Sequence, residues 1–339
     1  IQNADSISIL LIIYLLIVLD VIQTTLSLQG GGWLTSRFSH FFWKGFLNIS
    51  GKDGSSKFLS HAGYILLIAI VIIWVFALWS SMVLILYSNP GSIIQSSTKT
   101  TAGLWEVIYY SGFTLSTLGV GDFIAAGNYW RLLTTIYSFT GLILLTMSVT
   151  YFIPVLSAVI DQQKLGIKLS TLGSTPQEIV LNSWNKKDFS RLTNKIDDIS
   201  DSIIKYSQHH RTYPVIHYFH NPNQSNNVVL QLARLYEALV ILTHKIKKEK
   251  QPPLEDIRPL IVAFENYFKI ISEVTHINIK EKNTAKISVA ILQEHGLVST
   301  TIEQKDIEEN IMEKRRFFKT LLYQDGWEWA DVEKEKLKI

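Results

Sequence analysis

The chain has 339 residues, a formal net charge of +3 and no cysteine. This length allows two compact units, and so small a charge gives no reason to expect nucleic acid as a partner. The absence of cysteine excludes disulfides, thiolate metal ligands and a cysteine nucleophile. Most Lys, Arg, Asp and Glu residues lie after position 160, so we expect a membrane half and a soluble half that meet near Asp161.

Three long apolar stretches occur in the first half: Ile7–Leu28, Tyr64–Tyr87 and Leu132–Ile160. Each is able to cross a membrane as a helix, because a bilayer core about 30 Å thick takes roughly 20 apolar residues. The first could instead be a signal peptide, but its apolar run is long and no typical cleavage site follows, which favours a membrane helix. Asp20 within it is costly in lipid, and we expect it to face protein or the membrane interface, where contact with the headgroups and a functional role are equally favoured.

Basic residues in the loops predict how these stretches are oriented. The loop between the first two stretches carries Arg37, Lys44, Lys52 and Lys57, whereas the segment after the second stretch, residues 89–103, has only Lys99. Cytoplasmic loops are rich in Lys and Arg. The first loop and the region after Asp161 are therefore expected in the cytoplasm, in a multi-pass protein of the plasma membrane with its N-terminus outside.

The segment Trp33–Leu47 mixes bulky aromatic residues with Arg37, His40 and Lys44. This pattern is typical of an amphipathic helix that lies on a membrane surface with its basic groups toward anionic lipid. A short helix packed against its own protein is the alternative. Together with the first apolar stretch, this segment forms the first predicted region, residues 1–63.

The segment Leu104–Phe123, between the second and third apolar stretches, is too short and too polar to cross a membrane twice. Its first part, Leu104–Leu115, predicts a short helix. The sequence TLGVGD follows, with glycines at alternate positions, and alternate glycines let consecutive carbonyl groups point the same way because glycine adopts positive φ. Such backbone is tolerated at membrane depth where it lines a water-filled cavity.

This arrangement resembles the potassium channel family, in which two helices flank one pore loop. The family pattern T-V-G-Y-G-D is matched at Thr117, Gly119, Gly121 and Asp122, and Leu118 and Val120 occupy its two variable positions. The resemblance covers residues 64–160, the second predicted region, and implies an all-α membrane fold in which four identical chains surround one pore.

The resemblance also implies roles for individual residues. Potassium would be bound by the backbone carbonyls of four residues, Thr117, Leu118, Gly119 and Val120, within a selectivity filter that ends at Gly121. Asp122 would either form a ring of carboxylates at the outer mouth or brace the pore helix. Gly141 matches the hinge glycine of the family's inner helix, and Pro154 is expected either to kink that helix at a gate or to kink it without gating.

The segment departs from the family pattern at several positions. Val120 replaces the usual aromatic residue of the filter, and Phe113 stands where some members carry a glutamate. Tyr109 and Tyr110 replace tryptophans and are candidates for bracing the filter. These departures leave a weakly selective cation channel as an alternative to a potassium-selective one.

The third predicted region, residues 161–339, is helical by its periodicity. Within residues 226–250, apolar residues repeat at alternating steps of four and three, which predicts either a coiled coil between subunits or, as we favour, one helix of a bundle within the chain. Further helices are predicted over Leu254–Val274, near Thr301–Tyr323, and over Trp327–Lys338.

No glycine-rich nucleotide motif or EF-hand loop occurs in this region. His217 and His220 have a spacing that could bind zinc or sense pH, but structural roles are favoured. We therefore expect no cofactor other than the permeant K⁺, and no enzyme activity. The predicted function is passive K⁺ conduction, gated at the inner helices and modulated by the helical region; a membrane-anchored sensor or partner-binding module is the alternative from another class.

Overall fold

The computed structural model of the protein describes residues 2–28, 30–275, 287–298 and 309–334. In these residues helices predominate, and short strands pair only in one place. Three helical segments of the described residues are long and apolar enough to cross a membrane: Ile7–Leu26, Lys57–Tyr87 and Asn128–Ser170. The protein is an all-α membrane protein, which confirms the predicted fold class.

The chain divides into two compact units, of which the first comprises Ile1–His40 and Ile65–Val155. Its elements in chain order are α1 (Gln2–Leu26), the start of α2 (Trp33–Ile49), most of α3 (Ala62–Tyr87), β1 (Ile93–Gln95), α4 (Leu104–Leu115), β2 (Phe123–Ala125) and most of α5 (Asn128–Ser170). The strands β1 and β2 pair antiparallel, with Ile94 opposite Ile124.

The helix α1 has two distinct faces. Tyr14, Ile17 and Val21, at helical spacing, are buried against the rest of the first unit. The opposite face exposes apolar side chains such as those of Ile12 and Leu19. Exposed apolar residues around a long helix suit contact with lipid, so this sidedness agrees with a membrane helix.

Asp20 of α1 is buried and caps the N-terminus of α2. Its carboxylate accepts hydrogen bonds from the Leu34 amide at 2.8 Å, the Thr35 hydroxyl at 2.6 Å and the Trp74 indole at 3.1 Å. The partial positive charge of a helix N-terminus stabilises an anion. Of the two surroundings expected for Asp20, protein or the membrane interface, the structure shows protein, because Asp20 is only 1% exposed.

The second unit comprises Phe41–Tyr64 and Leu156–Ile339. After the end of α5, its elements are α6 (Pro176–Ser183), α7 (Ser190–Thr193), α8 (Ile196–Thr212), α9 (Val228–His244), α10 (Leu254–Thr275), α11 (Ala290–Glu294), α12 (Glu309–Gln324) and α13 (Ala330–Glu333). Single turns of 3₁₀ helix occur at Lys57–His61, Pro214–Tyr218, Gln224–Asn226 and Lys248–Lys250.

The helix α9 is the centre of this unit, since every side chain from Val228 to Leu242 is buried. Its burial within its own chain agrees with the interpretation of the heptad pattern as a bundle helix. A buried ion pair joins α9 to α12, with the Arg315 guanidinium donating to both oxygens of Glu237 at 2.7 and 2.6 Å. Rings of α9, α10 and α12, among them Tyr236, Phe264 and Phe318, pack beside this pair.

The predicted C-terminal helices agree with the structure in part. The helix α10 ends at Thr275, one residue beyond its predicted end. The helix predicted near Thr301–Tyr323 is present as α12, while residues 301–308 of that prediction lie outside the described residues. Within the part of Trp327–Lys338 that the structure describes, the only helix is the single turn α13, so the longer helix predicted there is wrong over those residues.

Candidate ion-conduction site

The helix α4 ends at Leu115, two residues before the predicted filter, and neighbouring helices fix its position. The Trp79 indole on α3 donates to the Ile108 carbonyl at 3.0 Å, and the Tyr110 hydroxyl lies 3.0 Å from that of Thr134 on α5. Tyr110 thus connects α4 to α5 and does not contact the filter residues through this hydrogen bond. These contacts give the loop after α4 a rigid starting point.

The backbone leaves the helix through a tight turn at the start of the filter. The Thr117 amide donates to the Thr114 carbonyl at 3.0 Å, and the Leu118 amide donates to the Phe113 carbonyl at 2.8 Å. Both amides are therefore used by the end of α4. These two N–H groups are therefore not available to contact an ion. The carbonyl oxygens of the segment are the backbone groups that could do so.

The filter segment has positive φ at every second residue. The values are 61° at Thr117, 59° at Gly119 and 89° at Gly121, with Leu118 and Val120 between them outside this region. Glycine adopts positive φ without steric cost, but a β-branched residue such as threonine does so rarely. Thr117 is therefore a strained position, and strain of this kind is concentrated at functional sites.

The filter segment is exposed within a single chain. Leu118 is 71% exposed and Val120 50%, and a Cβ added at Gly119 or Gly121 would have no atom within 4 Å. The helix α4 ends two residues before the filter, and a helix C-terminus carries partial negative charge. The surroundings of the segment thus favour a cation over an anion.

The end of the predicted filter segment at Asp122 is fixed by the small sheet. The Asp122 carbonyl accepts a hydrogen bond from the Ser96 amide at 2.8 Å, and the Asp122 carboxylate accepts one from the Phe123 amide at 3.0 Å. The Tyr109 hydroxyl on α4 also faces this carboxylate. Of the two tyrosines suggested as braces, Tyr109 is the one whose hydroxyl lies beside the filter's outer end.

Gly141 of α5 lies directly against the end of α4. A Cβ at this position would be 1.8 Å from the Leu115 carbonyl oxygen, so the two helices approach each other as closely as they do only because residue 141 is a glycine. The helix α5 continues through both Gly141 and Pro154. Its 43 residues correspond to roughly 65 Å, about twice the thickness of a bilayer core.

Comparisons with known proteins agree with this geometry. Residues 64–158 match the model of an ion channel family, a range that includes α4, the filter segment and most of α5. The chain is also 33% identical over 299 residues to the uncharacterized membrane protein YdjJ of Bacillus subtilis (strain 168), an alignment that covers 88% of this chain and 87% of the relative. The chain belongs to the family of this membrane protein. No solved structure matches it.

The match of residues 64–158 to an ion channel family suggests a transport role for this part of the chain. Ions and the lipid bilayer are the partners that such a domain implies. The sequence predicted roles for the segment after α4 and for Gly141, which stay predictions, and it did not point to the contribution of Trp79 or the close approach of Leu115. A tryptophan in an apolar stretch is equally typical of the lipid interface, so its hydrogen bond to α4 leaves no distinct signal.

Among the described residues, no group of three or more His, Cys, Asp and Glu side chains is placed to hold a metal ion. His217 and His220, which have a zinc-like spacing, line one small pocket but have different contacts. The His217 ring packs against those of His210 and Tyr218, while His220 is hydrogen bonded to Asp325.

Proposed function

We propose that the chain is one subunit of a potassium-selective channel in which four copies surround a single pore. The observation that carries this proposal is the positive φ at Thr117, Gly119 and Gly121, immediately after α4 and between two helices able to cross a membrane. Alternation of this kind lets successive carbonyls point to one side of the segment. A row of carbonyl oxygens replaces the hydration shell of a permeating cation.

The carbonyls proposed to bind K⁺ belong to Thr117, Leu118, Gly119 and Val120. One segment offers oxygens from one side only, so it cannot surround an ion by itself. Cyclic symmetry with four copies closes the ring, and the exposure of the segment in a single chain is what such an arrangement requires. The C-terminal ends of four α4 helices would add partial negative charge on the same axis.

Gating is proposed to involve α5. Pro154 has no amide hydrogen, so it cannot donate to the carbonyl of Thr150, and a helix bends most readily at such a position. Gly141 lies against the end of α4. We propose it as the hinge about which the part of α5 that follows it moves. At the outer mouth, Asp122 is proposed to brace the filter through Phe123 and Tyr109 while it attracts cations.

We also propose that the protein lies in the plasma membrane with its second unit in the cytoplasm, because the loop after α1 is rich in Lys and Arg. The chain has no cysteine, so single cysteines can be introduced and labelled without background. Lys187→Cys should react with a membrane-impermeant maleimide only after cells are opened, whereas Lys99→Cys should react on intact cells. The reverse result would contradict this orientation.

The experiment that tests the function measures ion flux from liposomes that contain the purified full chain, with K⁺ or Na⁺ as the sole permeant cation. We expect K⁺ flux to exceed Na⁺ flux by at least an order of magnitude, as carbonyl filters favour the larger ion. Gly119→Ala should remove K⁺ flux or abolish the preference for K⁺, because φ is 59° at this position in the filter.

Gly127→Ala is the matched control. Gly127 also has positive φ, at 85°, and open space around its Cβ position, but it lies outside the filter. Both substitutions place alanine at a positive φ and should therefore strain the backbone to a similar extent. A loss of selectivity in Gly119→Ala alone would then reflect the role of Gly119 in the filter. Equal K⁺ and Na⁺ fluxes in the natural chain would indicate a weakly selective cation channel, and no flux at all would favour a membrane-anchored sensor.

A further inference from the structure

A buried histidine joins three distant parts of the second unit. The Nδ1 atom of His220 lies 2.8 Å from an Asp325 carboxylate oxygen, and its Nε2 atom lies 2.7 Å from the Gly54 carbonyl oxygen. The other Asp325 oxygen accepts a hydrogen bond from the Asn227 side chain at 2.7 Å. We call these four residues, Gly54, His220, Asn227 and Asp325, the His220 latch.

The geometry of the latch indicates that its ring is protonated on both nitrogens. A neutral imidazole has one N–H donor and one acceptor nitrogen. The Gly54 carbonyl has only lone pairs to offer, and so does the ionised Asp325 carboxylate. With Asp325 as a carboxylate, both contacts are hydrogen bonds only when the ring carries a proton on each nitrogen. Loss of one of these protons leaves two acceptor atoms facing each other at one of the two contacts.

The latch holds a loop that precedes α3. The Gly54 amide donates to the Gly326 carbonyl at 2.7 Å, and the Trp43 indole donates to the Gln324 carbonyl at 3.0 Å. The approach at Gly54 is so close that an added Cβ would be 2.8 Å from the Trp327 ring. The loop thus docks into a fitted site, and no side chain larger than hydrogen is accommodated at its centre.

The groups around the ring determine whether the pKa of His220 is raised or lowered. Burial opposes the charged form of His220, but the Asp325 carboxylate, the Gly54 carbonyl and the nearby charge of Asp53 outweigh it, so the pKa of His220 is raised. Two other titratable side chains, those of Tyr206 and His217, line the small pocket next to His220. The latch is fully formed below the ordinary histidine pKa of about 6.5, and it weakens as pH rises through the raised value.

We propose that the second unit binds a regulatory proton at the His220 latch, and that loss of this proton releases the Gly54 loop and changes channel opening. The loop continues along the chain into α3 within eight residues, and the end of α5, from Leu156 to Ser170, belongs to the same unit. Both helices that flank the filter are thereby connected covalently to the unit that contains the latch. This inference rests on the proposed channel function.

Loop release can be measured without ion flux. Ser55 is exposed beside Gly54, so a nitroxide spin label on Ser55→Cys reports loop mobility by electron paramagnetic resonance in the full chain, reconstituted in vesicles. We expect low mobility at pH 6 and a rise with pH, with a midpoint above about 6.5. Spectra that do not change between pH 5.5 and 9 would overturn the proposal, whether or not the protein conducts ions.

Two further variants assign the midpoint to the latch. Asp325→Asn removes the charge that favours the imidazolium, so the midpoint should move to lower pH, and His220→Gln should remove the transition. His244→Gln is the matched control, because His244 is an exposed histidine of the same unit outside the latch. A transition that persists unchanged in both latch variants would overturn the assignment.

Potassium flux at pH 6 and pH 9 then tests regulation. We expect a change of at least threefold in the natural chain and in His244→Gln, and none in His220→Gln. A mobility transition without any change in flux would overturn the regulatory part while it leaves the latch in place. If the natural chain conducts no K⁺ at either pH, the proposed function fails, and the mobility titration still decides whether the latch binds the proton.

Discussion

The two units bury different kinds of polar residue. In the described part of the first unit, the buried polar side chains are those of serines and threonines together with the carboxylate of Asp20. The second unit buries whole charges in pairs, such as Arg315 with Glu237 and His220 with Asp325. A unit that faces lipid has no water with which to solvate an imperfect ion pair, whereas hydroxyls are satisfied by helix carbonyls nearby.

The proposed sites differ in the same way. The filter segment is exposed backbone in the single chain, and its properties depend on φ values and on the close approach of helices. The His220 latch is buried side-chain chemistry, and its properties depend on charge. Substitutions should therefore act mainly through steric effects in the first unit and mainly through unpaired charge in the second.

The largest effect is expected where one member of a buried ion pair is removed. Arg315→Met leaves the Glu237 carboxylate buried without its partner, and such a loss costs about 3–5 kcal/mol. The expected result is a strongly lowered thermal unfolding midpoint of the purified protein in detergent. Arg316→Met is the matched control, since Arg316 pairs with the exposed Glu309 and its loss should cost about 1 kcal/mol or less.

The double variant Arg315→Met with Glu237→Leu sharpens this prediction. Replacement of a whole buried pair by apolar side chains is often neutral or stabilising, so most of the lost stability should return. A double variant no more stable than Arg315→Met alone would show that packing, rather than the unpaired charge, accounts for the loss.

A steric effect of somewhat smaller size is expected at Gly141. The Cβ of Gly141→Ala would be 1.8 Å from the Leu115 carbonyl oxygen, so α5 must move away from the end of α4. Overpacking of this kind costs about 1–3 kcal/mol. We expect a lowered unfolding midpoint and loss of ion flux, measured in the same liposome assay.

Gly45→Ala provides the comparison, because Gly45 is also in a helix but has no atom within 4 Å of its Cβ position. Replacement of an unhindered helical glycine by alanine should stabilise the helix by about 0.5–1 kcal/mol. If both variants behaved alike, the close approach at Gly141 would not be what restricts that position.

Local patterns in the sequence were sufficient to predict the membrane helices and the helix α9. The three apolar stretches and the heptad repeat depend on neighbours a few residues apart, and the structure places helices at each of them. The short strands β1 and β2 carry no comparable periodic signal over three residues each and were not predicted.

Contacts between distant parts of the chain were not predictable in this way. Gly54 and His220 are 166 positions apart, and Asp20 and Trp74 are 54 apart. No local periodicity encodes such pairs, so neither the Gly54–His220 pair nor the Asp20–Trp74 pair was predicted. Phe41–Tyr64 belongs to the second unit through contacts with residues that are distant in the sequence, so local patterns did not predict this either.

The capping contact of Asp20 should have an intermediate effect. Asp20→Leu removes the acceptor for the Leu34 amide, the Thr35 hydroxyl and the Trp74 indole. Loss of a helix N-cap costs about 0.5–2 kcal/mol. Asp20→Asn keeps one carbonyl oxygen as an acceptor and should retain most of the unfolding midpoint, so equal losses in the two variants would argue that the charge itself is what matters.

The smallest effect is expected at the contact between α1 and α5. The Tyr14 and Thr140 hydroxyl oxygens are 2.5 Å apart, beside the Tyr137 ring and one residue before Gly141. Hydrogen bonds between membrane helices average about 0.6 kcal/mol in double-mutant cycles, with a maximum of about 1.7. Tyr14→Phe, Thr140→Val and the double variant, compared by unfolding in detergent, should give a coupling energy in this range. A coupling of zero would show that α1 is held against α5 by packing alone, because the two hydroxyls would then contribute independently.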